Sequence, residues 1–297
     1  MRDLYRYDRK NNIDTDEGVF VYALQSVGFE ELRESEFDIA VIDIDDCCLT
    51  PSQLSELQSN NRVFLSYLSI GEAEDYRSYW TEGWTSGYPD YIHEENPFWP
   101  GNYKVKYWHH GWQEIIYSQL DRIIENGFNG AYLDMVDAYR YFEDIGVDDA
   151  SEMMIDFVVG LSKYSKSINK NFLIIPQNAE ELIEDPEYFD AIDGVGKEEL
   201  YFMEGIRQDY QDIELSLYYL DKAKNAGKDV FIISYVKETE NIIEVVNNAE
   251  KKDYHYFIGK RELDNINCLS KSIYWGSDKK QHKDSPDWSI LIAFSLL

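Results

Sequence analysis

Cysteine is scarce in this chain of 297 residues, which holds only Cys47, Cys48 and Cys268. An adjacent pair and a remote third make neither a disulfide framework nor the spaced sets that hold zinc. No apolar run reaches the roughly 18 residues a membrane-spanning helix needs, so no membrane insertion is expected. Cations are also short, with 28 Lys and Arg against 57 Asp and Glu and a formal charge of -29. Such a surface repels nucleic-acid phosphates and anionic lipid and attracts cationic partners. Nucleotide fingerprints are missing too: Leu24 runs into Gln25-Ser26-Val27-Gly28, which is not a Gly-rich phosphate turn. No Walker lysine loop, zinc-protease helix or nucleophile elbow follows. Neither a cofactor nor a resident metal is therefore expected. The start, Met1-Arg2-Asp3-Leu4-Tyr5-Arg6-Tyr7, lacks the apolar stretch of an export signal. Cytoplasmic placement and a processed, exported form both stay open.

Aromatic residues are plentiful, at 24 Tyr, 14 Phe and 7 Trp. With a hydrophobic fraction of 44%, the chain can bury one large core. Short β-rich runs recur at Val19–Leu24, Ile39–Asp45, Val63–Ser69, Ala131–Val136, Phe172–Pro176, Ala191–Val195, Val230–Val236 and Tyr254–Ile258. Helix-forming segments separate most of them, the pattern of βα units around a parallel sheet. Eight such units predict an α/β fold of (β/α)₈ type, a TIM-like barrel filling residues 1–297 as a single domain. A doubly wound open sheet is the competing architecture. Local signals support the helices. Thr50-Pro51-Ser52-Gln53 reads as an N-cap, a first-turn proline and a capping-box partner. Trp112, Ile115, Ile116, Gln119, Leu120, Ile123 and Ile124 mark one helical face, and Asn126-Gly127 can close it.

Residues 73–112 break the even spacing and are predicted to lie over the C-terminal mouth as an aromatic insertion after the third strand. Five tryptophans fall there: Trp80, Trp84, Trp99, Trp108 and Trp112. Flat, partly apolar rings suit sugar faces, although most rings of this kind pin a loop to its rim.

Carboxylates sit where strands enter their C-terminal loops: Asp43 and Asp45, Glu72, Asp134 and Asp137, Glu180, and Glu198. One such acid is as readily a cap as a catalyst. Repetition on successive strands converges on one mouth. Crowded acids there split their protonation, one staying neutral beside an ionised neighbour, as glycosidic acid and nucleophile roles require. A hard-cation site is the alternative use of such oxygens.

Several stretches resemble a known family. They are Tyr67-Leu68-Ser69-Ile70-Gly71-Glu72-Ala73-Glu74-Asp75-Tyr76-Arg77 and Gly127-Phe128-Asn129-Gly130-Ala131-Tyr132-Leu133-Asp134-Met135-Val136-Asp137. Tyr22-Ala23-Leu24-Gln25, Pro176-Gln177-Asn178-Ala179-Glu180 and Arg261-Glu262-Leu263-Asp264 add to them. From about Phe20 to Asp264 the chain is similar to the TM1410-like proteins grouped with endo-α-1,4-polygalactosaminidases, the GH114 type of glycoside hydrolase. The resemblance implies a TIM-like barrel, an endo-acting hydrolase, and an α-1,4-linked galactosamine polymer or oligomer as partner. It implies Asp134 and Glu180 as the catalytic carboxylates, with Glu72, Asp137 and Gln177 shaping the pocket. Asp43, Asp45, Tyr67, Trp80, Trp108, Glu198 and Tyr235 complete the expected substrate contacts. Asp43-Ile44-Asp45 is an unusually acidic second-strand end for the family. On this reading Asp134 is nucleophile or charge stabiliser, and Glu180 is an acid/base whose pKa must be raised. Adjacent strands would bring the two close and favour retention. Another sugar specificity, or a glycan-binding barrel without catalysis, are the competing functions.

Overall fold

The computed structural model of the chain describes residues 19–266, so Cys268 lies outside the described residues. Eight parallel strands follow one another in barrel order. They are β1 (Phe20–Tyr22), β2 (Ile39–Ile42), β3 (Val63–Ser69), β7 (Gly130–Asp134), β8 (Leu173–Pro176), β9 (Gly194–Glu198), β12 (Asp229–Ser234) and β13 (His255–Ile258). Continuous ladders run β1-β2-β3-β7-β8 and β9-β12-β13. A single parallel bridge, Gln177 to Gly196, joins the two groups, helped by the Asn178 amide on the Gly196 carbonyl at 3.0 Å. No ladder crosses from β13 to β1. There the wall is completed by the Phe20 and Phe257 rings, 6.5 Å apart, and by the Leu24 amide on the Leu263 carbonyl at 2.9 Å. The fold is the expected α/β barrel with one seam lacking strand pairing.

Periodicity explains the outer layer. Thr50 and Gln53 form the anticipated capping box at the start of α3 (Pro51–Leu57), after the shorter helices α1 (Phe29–Glu34) and α2 (Ile44–Cys47). α4 (His110–Asn126) buries Trp112, Ile116, Gln119, Leu120 and Ile123 and stops at Gly127, whose φ of 91° a Cβ would resist. α5 (Ala138–Asp144), α6 (Ala150–Ile168), α7 (Pro186–Ala191), α8 (Tyr210–Asn225) and α9 (Thr239–Lys252) complete the layer.

Rings fill the lumen. Tyr132 meets Tyr22 edge-on at 5.4 Å, and Phe20 packs on Phe231 at 5.1 Å. Burying each such side chain contributes about 1.5–3 kcal/mol. Gly196 is fixed by this crowding, since a Cβ there would stand 1.8 Å from the Tyr132 hydroxyl. That clash shows which way β9 faces: Gly194, Gly196 and Glu198 point inward, while Lys197 points toward the helices.

The insertion is not a structureless loop. β4 (Glu72–Glu74), β5 (Ile92–Glu95) and β6 (Asn102–Val105) form an antiparallel sheet in the order β4-β6-β5. It springs from the C-terminal end of β3 and so lies at the mouth. A second small hairpin, β10 (Phe202–Met203) with β11 (Ile206–Arg207), follows β9 at the same end.

Candidate active site

Three neighbouring barrel staves end alike. β7 finishes on Asp134, β8 continues into Gln177, and β9 finishes on Glu198, all three directed into the lumen. The next residue in each case is left-handed: Met135 at φ 57°, Asn178 at 61° and Glu199 at 52°. A non-glycine residue in that region costs about 1–3 kcal/mol, and such strain concentrates where geometry is functional. The bend turns each strand away just after presenting its polar side chain.

Asp134 accepts three hydrogen bonds: from the Tyr67 hydroxyl at 2.7 Å, the Gln177 amide nitrogen at 3.0 Å and the Met135 N–H at 2.8 Å. Burial raises its pKa, and these three donors oppose the rise. Glu198 is placed differently. Its carboxylate accepts from the Tyr235 hydroxyl, and its own N–H donates to the Asn178 side-chain oxygen at 3.0 Å. Burial and then the charge of Asp134 push the Glu198 carboxyl up to about 7. Two carboxylates thus share the mouth, and the one with more hydrogen-bond donors on its oxygens is Asp134. Crowding of this kind is what separates the protonation of an acid pair. Asp137, at the start of α5, is also raised to about 7, first by burial and then by Asp134.

Glu180 differs from its expected role. It opens a short 3₁₀ turn, Glu180–Glu184, and faces α8 rather than the lumen. The Ser216 hydroxyl donates to its Oε1 at 2.5 Å and Lys197 Nζ lies 2.7 Å from the same oxygen. Burial pushes its carboxyl up, but the Lys197 cation and the hydrogen bonds from Lys197 and Ser216 outweigh that and leave the pKa lowered. An acid held ionised by an ammonium cannot supply a proton. With Glu180 turned to Ser216 and Lys197, the close pair on adjacent strands that would favour retention is not formed.

Asp43 and Asp45 are likewise committed within the protein. Arg77 Nη1 lies 2.6 Å from Asp43 and 3.4 Å from Asp45, and its Nε pairs with Glu74, while Arg122 reaches Asp45 at 2.7 Å. This network ties the root of the insertion to the end of β2 and takes up the charge expected to meet substrate. Glu72 is buried, accepts from Asn96 Nδ2 at 2.8 Å, and has its pKa raised chiefly by burial, with Asp134 among the charges acting on it. Tyr67 and Gln177 serve Asp134, and Tyr235 serves Glu198 beneath the Arg261 guanidinium 4.8 Å from its ring. Trp80 packs on Trp84 and Tyr103 at 5.3 and 5.0 Å, and Trp108 on Phe142 at 4.8 Å, so both anchor the insertion.

The sixth apolar run, Ala191–Val195, stops short of Glu198, whereas β9 covers Gly194–Glu198 and so carries this carboxylate as its last inward side chain. The alternation Gly194, Gly196, Glu198 was the available signal, since small residues at every second position mark a crowded lumen. Among the described residues no three His, Cys, Asp or Glu side chains converge as a metal site, and no helix is long and apolar enough to cross a membrane.

Residues 9–274 match the profile of Glyco_hydro_114, glycoside-hydrolase family GH114. An uncharacterized protein of Methanocaldococcus jannaschii is 36% identical over 270 residues, which span 84% of this chain and 78% of that protein. One from Thermotoga maritima is 35% identical over 269 residues, covering 84% and 83% respectively. Among solved structures, Aspergillus fumigatus Ega3 in complex with galactosamine superposes with a TM-score of 0.66 at 19% identity, over 84% of this chain and 92% of that one. The glycoside hydrolase domain of PelA from Pseudomonas aeruginosa gives 0.64 at 16% identity, over 84% and 96%. A barrel whose lumen ends in paired carboxylates, matched by this profile over most of its length, belongs to glycoside-hydrolase family GH114.

Proposed function

We propose that this chain hydrolyses internal α-1,4 glycosidic bonds of a galactosamine-type polysaccharide, with Glu198 as general acid and Asp134 as nucleophile or charge stabiliser. The observation that carries the reading is the Glu198 carboxyl, raised to about 7 by burial and the Asp134 charge at the barrel mouth. A carboxyl in that range still holds a proton near neutrality and can give it to the leaving oxygen as the C1–O bond breaks. Asp134, with three donors on its oxygens, stays an anion facing the positive charge that grows at the anomeric carbon. Water then replaces the leaving group and gives up a proton to a carboxylate of the pair.

The substrate class rests on charge and kinship. A protein of net charge -29 with an acidic mouth attracts glycans that carry free amines, and the similar Ega3 structure holds galactosamine. A hydrolysis screen with acetylated and deacetylated galactosamine and glucosamine oligomers, read by product mass, tests both halves. Cleavage inside deacetylated galactosamine chains is expected from the native protein and from neither Asp134→Asn nor Glu198→Gln. Tight glycan binding with no cleavage product from any oligomer would refute the catalytic assignment.

A further inference from the structure

The turn between β5 and β6 exposes two large rings that no part of the proposed mechanism uses. Phe98 is 85% exposed and Trp99 53% exposed. Leaving such rings in water is unfavourable unless something covers them in use. The turn fixes the backbone that carries them. The Phe98 N–H donates to Asn96 Oδ1 at 3.0 Å, the Trp99 N–H to the Asn96 carbonyl at 3.2 Å, and the Asn102 N–H to the Trp99 carbonyl at 3.0 Å. Gly101 closes the turn at φ 91°, pressed so tightly on Asp75 that a Cβ would stand 2.8 Å from its carboxylate. The Asp75 N–H in turn donates to the Gly101 carbonyl at 2.9 Å, and the next residue, Tyr76, is itself 65% exposed.

This platform is continuous with the mouth. Asn96, whose backbone and side chain shape the turn, also donates to Glu72, and Glu72 lies within the field of Asp134. Its surroundings are acidic: Asp75, Glu94 and Glu95 are exposed beside it. The nearby Arg77 is taken up by Asp43 and Glu74. Flat rings next to carboxylates match one kind of occupant, a sugar chain whose pyranose C–H faces stack and whose ammonium groups pair with the acids.

We infer that Phe98 and Trp99, with Asp75 and Glu95, form an outer binding surface that holds the polymer beyond the cleavage site. The inference rests on the proposed glycoside hydrolase reading and concerns chain length. A short oligomer fills the mouth alone, whereas a long chain also reaches the platform. Losing two stacked rings then costs about tenfold in the affinity of the long chain.

The test compares the native protein with a Phe98→Ala/Trp99→Ala double variant on a short galactosamine oligomer and on long deacetylated galactosamine polymer. Expected are unchanged kcat and KM for the oligomer and a KM about tenfold higher for the polymer. Affinity electrophoresis in gels containing the polymer, run in a Glu198→Gln background, should show matching loss of retardation. Equal kinetics on the polymer together with equal retardation overturns the inference. If the native protein cleaves neither substrate yet the double variant loses retardation, the catalytic reading fails and the outer surface stands. If the double variant instead only turns a dimer into a monomer in sedimentation, a second copy of the chain covers the rings and the inference fails.

Discussion

Replacing Glu198 with glutamine removes a charge without changing the shape of the side chain, and the Tyr235 hydroxyl can still donate to the new amide oxygen. Two effects follow from the same cause. The folded chain holds this carboxyl at about 7 against an ordinary 4.5, so between those values it binds a proton that the unfolded chain has released. Stability from this group is therefore complete below about pH 4.5 and is lost as the pH rises through 7. Each pH unit of that rise is worth about 1.4 kcal/mol, so ionising the native carboxylate costs about 3 kcal/mol. Glu198→Gln escapes the cost and should raise Tm by about 5–10 °C near pH 8, with little change near pH 5. The same variant should lose at least about 100-fold in kcat, because no proton is left for the leaving oxygen. Differential scanning fluorimetry at the two pH values, paired with reducing-end release, reads both effects. A Tm offset identical at both pH values, or turnover near that of the native protein, would show that Glu198 is not the buried acid of the reaction.

Glu180→Gln should behave in the opposite way. Removing the partner of the buried Lys197 destabilises by about 3–5 kcal/mol, while kcat falls far less than in Glu198→Gln. The lowered pKa of Glu180 also means that its contribution, present at neutral pH, is lost as the pH falls through that value, visible as acid-side loss of Tm in the native protein only. Arg77→Met leaves Asp43 and Glu74 unpaired in buried positions, and urea unfolding should show a loss of several kcal/mol. Gly196→Ala drives a methyl group into the Tyr132 hydroxyl; soluble yield and near-UV circular dichroism should both fall, even though alanine is otherwise a mild change. Asn178→Ala removes the acceptor for the Glu198 N–H, and should lower kcat by about tenfold with little change in KM.

The periodic parts of this protein are legible in its amino-acid order alone. Its β-rich runs correspond to the eight barrel strands, because strands buried on both faces leave short, continuous apolar runs that survive without coordinates. The Thr50 capping box and the Gly127 stop were legible for the same reason, since both depend on residues adjacent in the chain. Asp134 was found because it ends a well-marked strand. Glu198 was legible as a strand-end acid and an expected substrate contact, but its direction into the lumen was not. Consecutive charged residues after a glycine-rich strand carry little β signal, and which of them faces the lumen depends on the register of β9 against β8 and β12. The same holds for Glu180, where the partner that makes it structural comes from α8, 36 residues away. Asp43 and Asp45 looked free in sequence and are not, since Arg77 and Arg122 reach them from 32 to 77 residues along the chain. Local pattern fixes which segments become strands and helices. The protonation of a buried acid depends on the charges and donors around it, and only the tertiary structure brings those together.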